Sequence, residues 1–231
     1  MNNSDYELSI EPLTSTTAKL VRIDGKIDIN NYFEVSPNYQ GYNSYKSPSK
    51  IIIDKWIYNN KEYIITEICN CSFSHCTNIV EIVIGENVNK ISWNMYHCPK
   101  LQKITVHPNN KTFHSIDGVL FKKNKLVGFP LGRVGKYKIP TGTTHIGHFA
   151  FKSAAINQII FPDSIIEIGR NAFYECNNIK EFIIPRSIKR VYFNNNINGK
   201  PISQTFYFKD DIMKSHPMKI EDLIKYSFHD S

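Results

Sequence analysis

No apolar run in this sequence could cross a bilayer: the longest, "KIIIDKWI", "NQIIFP" and "EFIIP", fall far short of the roughly 20 residues a spanning helix needs. Cysteine is scarce and odd in number, five in 231 residues, which argues against a disulfide-stapled scaffold. The opening "MNNSDYELSI" has neither a basic start nor an apolar block, so no secretory signal is visible. Three origins stay open: an intracellular chain, export by another route, or a chain that begins after its signal. Catalytic signatures are missing as well. There is no G-x-S-x-G elbow, no phosphate-cradling glycine loop and no H-E-x-x-H pair. Nothing fixes a base beside a nucleophile. The expectation is a non-enzyme with no catalytic residue and no cofactor.

What is present is an ordinary globular composition, 41 % hydrophobic and 21 % charged, in a chain long enough to bury a large core. Its main signal is a repeat. The stretch "IIEIGRNAFYECNNIKEFIIPRSI" at 165–188 returns at 65–88 as "ITEICNCSFSHCTNIVEIVIGENV". The matched pairs are Ile65/Ile165, Ile68/Ile168, Phe73/Phe173, Cys76/Cys176, Ile79/Ile179, Ile82/Phe182, Ile84/Ile184 and Val88/Ile188. Further copies run from Val88 ("VNKISWNMYHCPKLQKITVHP") and Thr144 ("THIGHFAFKSAAINQIIFPDSI"), and a degenerate one starts at Ile188. The anchors Ile68, Ile91, Ile146, Ile168 and Val191 stand 23, 55, 22 and 23 residues apart, so something is inserted in the long gap.

A period in the low twenties is that of a leucine-rich-repeat solenoid, whose coils bury their apolar sides only against one another. Residues spaced by two (Ile82/Ile84, Ile104/Val106, Ile159/Phe161, Phe182/Ile184) predict short strands with one side inward. "NAFYEC" predicts a tight helical turn that inserts an aromatic ring and a small thiol. The fold expected is mainly β with short helical turns in each coil, and Phe73, Phe151 and Phe173 in one aligned column.

The pattern I-x-x-I-G-x-x-A-F-x-x-C-x-x-I-x-x-I-x-I-P-x-S-I resembles the BspA-like leucine-rich-repeat family over roughly residues 50–193. The stretch "HSIDGVLFKKNKLVGFPLGRVGKYKIP" (114–140) is similar to that family's recurrent insert. "WNMY" at 93–96 and Ala154 depart from the pattern. The resemblance implies surface adhesion, with host or matrix binding, and a cell-surface or secreted location; a cytoplasmic one stays open.

The reading divides the chain into an N-terminal β cap (1–64), the solenoid (65–193) with a hairpin insert at about 107–140, and a C-terminal cap (194–231). Ile220, Leu223, Ile224 and Phe228 fall at helical spacing and predict a capping helix. Between the first strands, "SPNYQGYNSYKSPSK" (36–50) reads as a loop.

Cys69, Cys71, Cys76 and Cys98, flanked by His75 and His97, invite a zinc hypothesis. The C-x-C-x4-C-x21-C spacing matches no structural zinc pattern. Cys76, Cys98 and Cys176 share one inward slot, while Cys69 and Cys71 should point outward. They read as packing residues, with no metal site. Positive charge gathers in the insert. From His107 to Pro140, Lys111, Lys122, Lys123, Lys125, Arg133, Lys136 and Lys138 face one acid, Asp117, a balance of +6 out of the chain's +7.

Two uses follow. The leading one is a non-enzymatic, adhesion-type protein-binding module. Its strip lies beside the inward strand positions: Glu81, Val83, Lys103, Thr105, Gln158, Ile160, Glu181 and Ile183. Its partner would be a protein or the extracellular matrix. The alternative is binding of a polyanion or acidic glycan by the seven basic residues; a solubilising role for the insert, and an intracellular scaffold protein, also stay open. Base-stacking aromatics do not alternate with the lysines, which counts against nucleic acid.

Overall fold

The computed structural model describes residues 6–15, 17–25, 49–58, 61–69, 72–73, 76–92, 98–192 and 205–208. The sequence-predicted capping helix and the tyrosine-bearing loop up to residue 48 lie outside them. The chain opens with β1 (Tyr6–Pro12), β2 (Thr17–Gly25), β3 (Lys50–Ile53), β4 (Lys55–Tyr58) and β5 (Lys61–Ile68). It continues through β6 (Glu81–Ile84), β7 (Lys90–Ile91), β8 (Lys103–Val106), β9 (His114–Ile116), β10 (Val119–Lys122), β11 (Lys125–Gly128) and β12 (Gly135–Lys138). The last strands are β13 (His145–Ile146), β14 (Ile156–Ile160), β15 (Glu167–Ile168), β16 (Glu181–Ile184), β17 (Arg190–Val191) and β18 (Thr205–Phe208).

The repeat becomes two walls of parallel strands. One wall carries the longer strands, in ladders β3-β6-β8, β12-β14 and β16-β18. The other carries the two-residue strands β7, β13, β15 and β17, with β5 beside β7 and β11 at the head of the run β11-β13-β15-β17. Parallel neighbours one coil apart put like residues side by side: Ile82 opposite Ile104, and Ile146 opposite Ile168, itself opposite Val191. The apolar residue of each pair points inward and its polar neighbour outward, as strand alternation requires. At the N-terminal end the pattern changes. There β1 runs antiparallel to β2, and β4 antiparallel to β5.

The expected helical turns are not formed: there is no helix among the described residues. The segment between β13 and β14 is a chain of turns in which alternate amides leave the coil, while Ala150, Lys152 and Ala154 donate locally to the residue three before. Phe149, Phe151 and Ser153 donate their amides to the carbonyls of Arg170, Ala172 and Tyr174 in the next coil, at 3.1, 2.8 and 2.7 Å. A helix would keep those donors for itself. Phe149, Ser153, Asn171 and Glu175 adopt left-handed φ values of 55 to 59°, which also break helical continuity.

The core divides into two clusters that meet at the hairpin β9–β10. Strand β10 is buried on both sides. Val119 and Phe121 join the C-terminal cluster and Leu120 the N-terminal one. The extra chain in the long gap is mainly this hairpin. Leu126 of β11 pairs with Ile146, and Tyr137 of β12 with Ile159, so 125–140 supplies a coil's two strands. Phe129, Phe151 and Phe173 stack in a column, with centroids 4.8 and 5.1 Å apart and planes within 28°. Phe73 is not in that column. It is buried in the other cluster.

Candidate interaction surface

The proposed strip lies on the wall of longer strands. Lys50, Glu81 and Lys103 are cross-strand partners on β3, β6 and β8, and so are Ile52, Val83 and Thr105. The first row is a charge network centred on Glu81. Lys50 Nζ lies 3.1 Å and Lys103 Nζ 3.6 Å from the carboxylate, and Thr105 Oγ1 donates to Glu81 Oε1 at 2.8 Å. Partial burial would raise the Glu81 pKa. The hydrogen bonds from Thr105 and Lys50 and the attraction of Lys50 and Lys103 outweigh it and hold the carboxyl below its ordinary range. The second row is partly apolar, with Ile52 exposed.

On β14 and β16, Gln158 and Glu181 are exposed and Ile160 and Ile183 half-buried. Their register partners are Lys136 and Lys138 on β12, and Thr205 and Tyr207 on β18. The eight residues therefore share a wall but not one hydrogen-bonded ladder. Glu81, Val83, Lys103 and Thr105 form one block; Gln158 with Ile160, and Glu181 with Ile183, belong to two further sheets. The hairpin interrupts the row. The Ile104 amide donates to Gly118 O at 2.8 Å, so hairpin backbone takes the edge of β8 that a following coil would use. Sequence reasoning missed Lys50 and Ile52, because "KIII" falls in the stretch read as a cap. Their outward positions show only in the alternating burial of the folded strand, since three consecutive isoleucines carry no alternation in the sequence.

The seven basic residues are dispersed. Lys122 and Lys123 sit at the β10–β11 turn, with Lys122 Nζ 5.6 Å over the Phe113 ring. Lys125 lies on β11 opposite His145, on the other wall. Lys111 is exposed ahead of β9, and Lys136 and Lys138 are exposed on β12. Arg133 is committed: Nη1 donates to Asp117 O at 2.6 Å, Nη2 pairs with Asp117 Oδ2 at 2.7 Å, and the guanidinium lies over Phe129 and Tyr137.

The thiols have internal work. Cys98 Sγ donates to Phe73 O at 2.8 Å and Cys176 Sγ to Phe151 O at 2.9 Å. Both are buried, as is Cys76, while Cys69 is half-buried; Cys71, His75 and His97 lie outside the described residues. Burial pushes the Cys176 thiol up to about 12. On the other wall His148 Nδ1 accepts the Arg170 amide at 2.9 Å, and its pKa is lowered by burial and by Lys125.

A family model described as the BspA type leucine-rich repeat region matches six copies over residues 55–131 and 129–209. Among solved structures, the chain is similar to a leucine-rich repeat protein from Eubacterium ventriosum, at 17 % identity and a TM-score of 0.42 over 70 % of this chain and 60 % of that one. A leucine-rich repeat protein from Bacteroides ovatus aligns at 17 % identity and 0.38 over 90 % of this chain and 40 % of that one. The pneumococcal vaccine antigen PcpA aligns at 12 % identity and 0.36, over 90 % and 87 %. This chain thus spans less than two thirds of the length of the first two proteins. No curated protein matches the sequence.

Proposed function

The chain belongs to the BspA-type leucine-rich-repeat family, and from that premise we propose that it is a non-enzymatic protein-binding module of the adhesion type, with a protein or extracellular-matrix partner. The observation that carries this reading is the set of parallel ladders on which Val83, Thr105, Ile160 and Ile183 are half-buried at outward positions beside Glu81, Lys103, Gln158 and Glu181. Mixed, partly apolar side chains on a backbone fixed by stacking suit a protein surface. Within this reading 1–64 act as an N-terminal β cap, 65–193 as the solenoid with its insert at about 107–140, and 194–231 as a C-terminal cap ending in a helix. The antiparallel pairing of β1 with β2 supports the first of these, since it ends the parallel stack. The test is binding to immobilised matrix proteins after alanine replacement of Val83, Thr105, Ile160 and Ile183. Weaker binding with an unchanged circular dichroism spectrum supports the strip; unchanged binding removes it.

A second reading, capture of a polyanion or acidic glycan, is favoured by the exposed Lys136 and Lys138 on neighbouring outward positions of β12. Its affinity would fall steeply with added salt, while binding through the strip would be far less sensitive.

A further inference from the structure

Strand β12 has an unused edge. Among the described residues it pairs with β14 alone. The Ile139 amide donates to Ile160 O at 3.0 Å, which turns the backbone at 139 towards β14. By two-residue alternation 137 turns the same way, leaving the N–H and C=O of Lys136 and Lys138 on the opposite edge. In an uninterrupted stack the preceding strand, β8, would cover that edge. Here β8 is engaged elsewhere: Ile104 N donates to Gly118 O, and Val106 N to Ser115 Oγ at 3.3 Å. The Arg133–Asp117 pair ties the start of β12 to the hairpin turn. Beside that pair stand two exposed apolar residues, Ile116 at 39 % and Val134 at 76 % exposure, the latter the most exposed large hydrophobic among the described residues.

We propose that the open edge of β12 receives an extended acidic segment of a partner protein as an added strand, hydrogen-bonded to the backbone of Lys136 and Lys138, with its carboxylates on the two lysine side chains. Unpaired strand backbone is satisfied by another extended backbone, and flanking side chains set which one. Lysines at an open edge keep it from pairing with a copy of itself, since like charges would face each other. The same charges accept Asp or Glu at alternate positions, and Val134 and Ile116 offer apolar contacts at one end. The inference rests on the protein-binding reading above but uses the backbone edge, not the outward face.

Short peptides alternating Glu with Val or Thr test it, titrated against the full chain. Controls are the same peptides N-methylated along the pairing edge, lysine counterparts, and heparin. The acidic peptides should bind and protect the Lys136 and Lys138 amides from exchange, and N-methylation should weaken them by about tenfold or more. Joint charge reversal, Lys136→Glu with Lys138→Glu, should transfer preference to the lysine peptides. No protection of the two amides, or equal affinity for N-methylated peptides, overturns the proposal. Heparin displacing the peptides while leaving both amides exchanging freely overturns it in favour of a plain polyanion site. Matrix binding lost in the Ile160 and Ile183 alanine variants, with both amides unprotected by peptide, would retain the face and remove only the edge.

Discussion

A thiol in the inward slot does more than fill space. Cys98 and Cys176 each donate to the carbonyl of the phenylalanine one coil back, whereas Ala154 fills the same slot by packing alone. Cys176→Ala removes the donor and leaves the Phe151 carbonyl short of it, with an expected loss of about 1–2 kcal/mol in denaturant unfolding. In the native protein a thiol reagent at mildly alkaline pH should leave Cys176 unlabelled until unfolding, because its raised pKa keeps the thiolate scarce. Glu81 titrates in the opposite sense. Its folded pKa lies below the ordinary 4.5, so the unfolded chain takes up the proton first on acidification. The network's contribution is complete above that ordinary value and disappears as pH falls through the folded one. A Glu81→Gln variant should show a flatter stability profile across that acid window, read from thermal unfolding at stepped pH.

Among the elements, the turn segment is where local signal and outcome part. "NAFYEC" has apolar spacing that a helix would share, and the preference is overruled because Ala172 and Tyr174 give their carbonyls to amides of the preceding coil, while the segment's own amides close only short local turns. That pairing is non-local, and nothing within the segment announces it. The strands were legible, since their two-residue alternation repeats at nearly constant distance. The coil of β11 and β12 was not: Leu126 precedes Ile146 by only 20 residues, and "LVGFPLG" lacks the aromatic-to-cysteine spacing. The candidate strip was legible in its residues but not in its interruption, because the sequence does not say which edge the hairpin occupies. Close packing at the corners gives a sharp test. A Cβ at Gly169 would lie 2.9 Å from Gly147 C, His148 N and Ile146 O, all backbone atoms that cannot swing aside. Gly169→Ala should cost roughly 1–3 kcal/mol and lower the melting temperature.

Taken whole, the described residues form two apolar clusters joined through the buried strand β10 and through the segment after it, where Leu126 and Phe129 face one cluster and Leu131 the other. Leu120 faces one cluster while Val119 and Phe121 face the other, so β10 couples the two halves. Leu120→Ala should cost about 2–5 kcal/mol. Hydrogen exchange should then show the coils before residue 107 opening ahead of those after residue 140; uniform acceleration along the chain would show that the halves are not separable. The matching of neighbours has a last consequence. Gly147 N bonds to Leu126 O as Gly169 N bonds to Ile146 O, so each layer presents to the one above what the layer below presents to it. Excising one such layer in frame, 147–168, would offer each severed bond a replacement of the same kind. Such a chain can lengthen or shorten by whole rungs over generations without reinventing its interior.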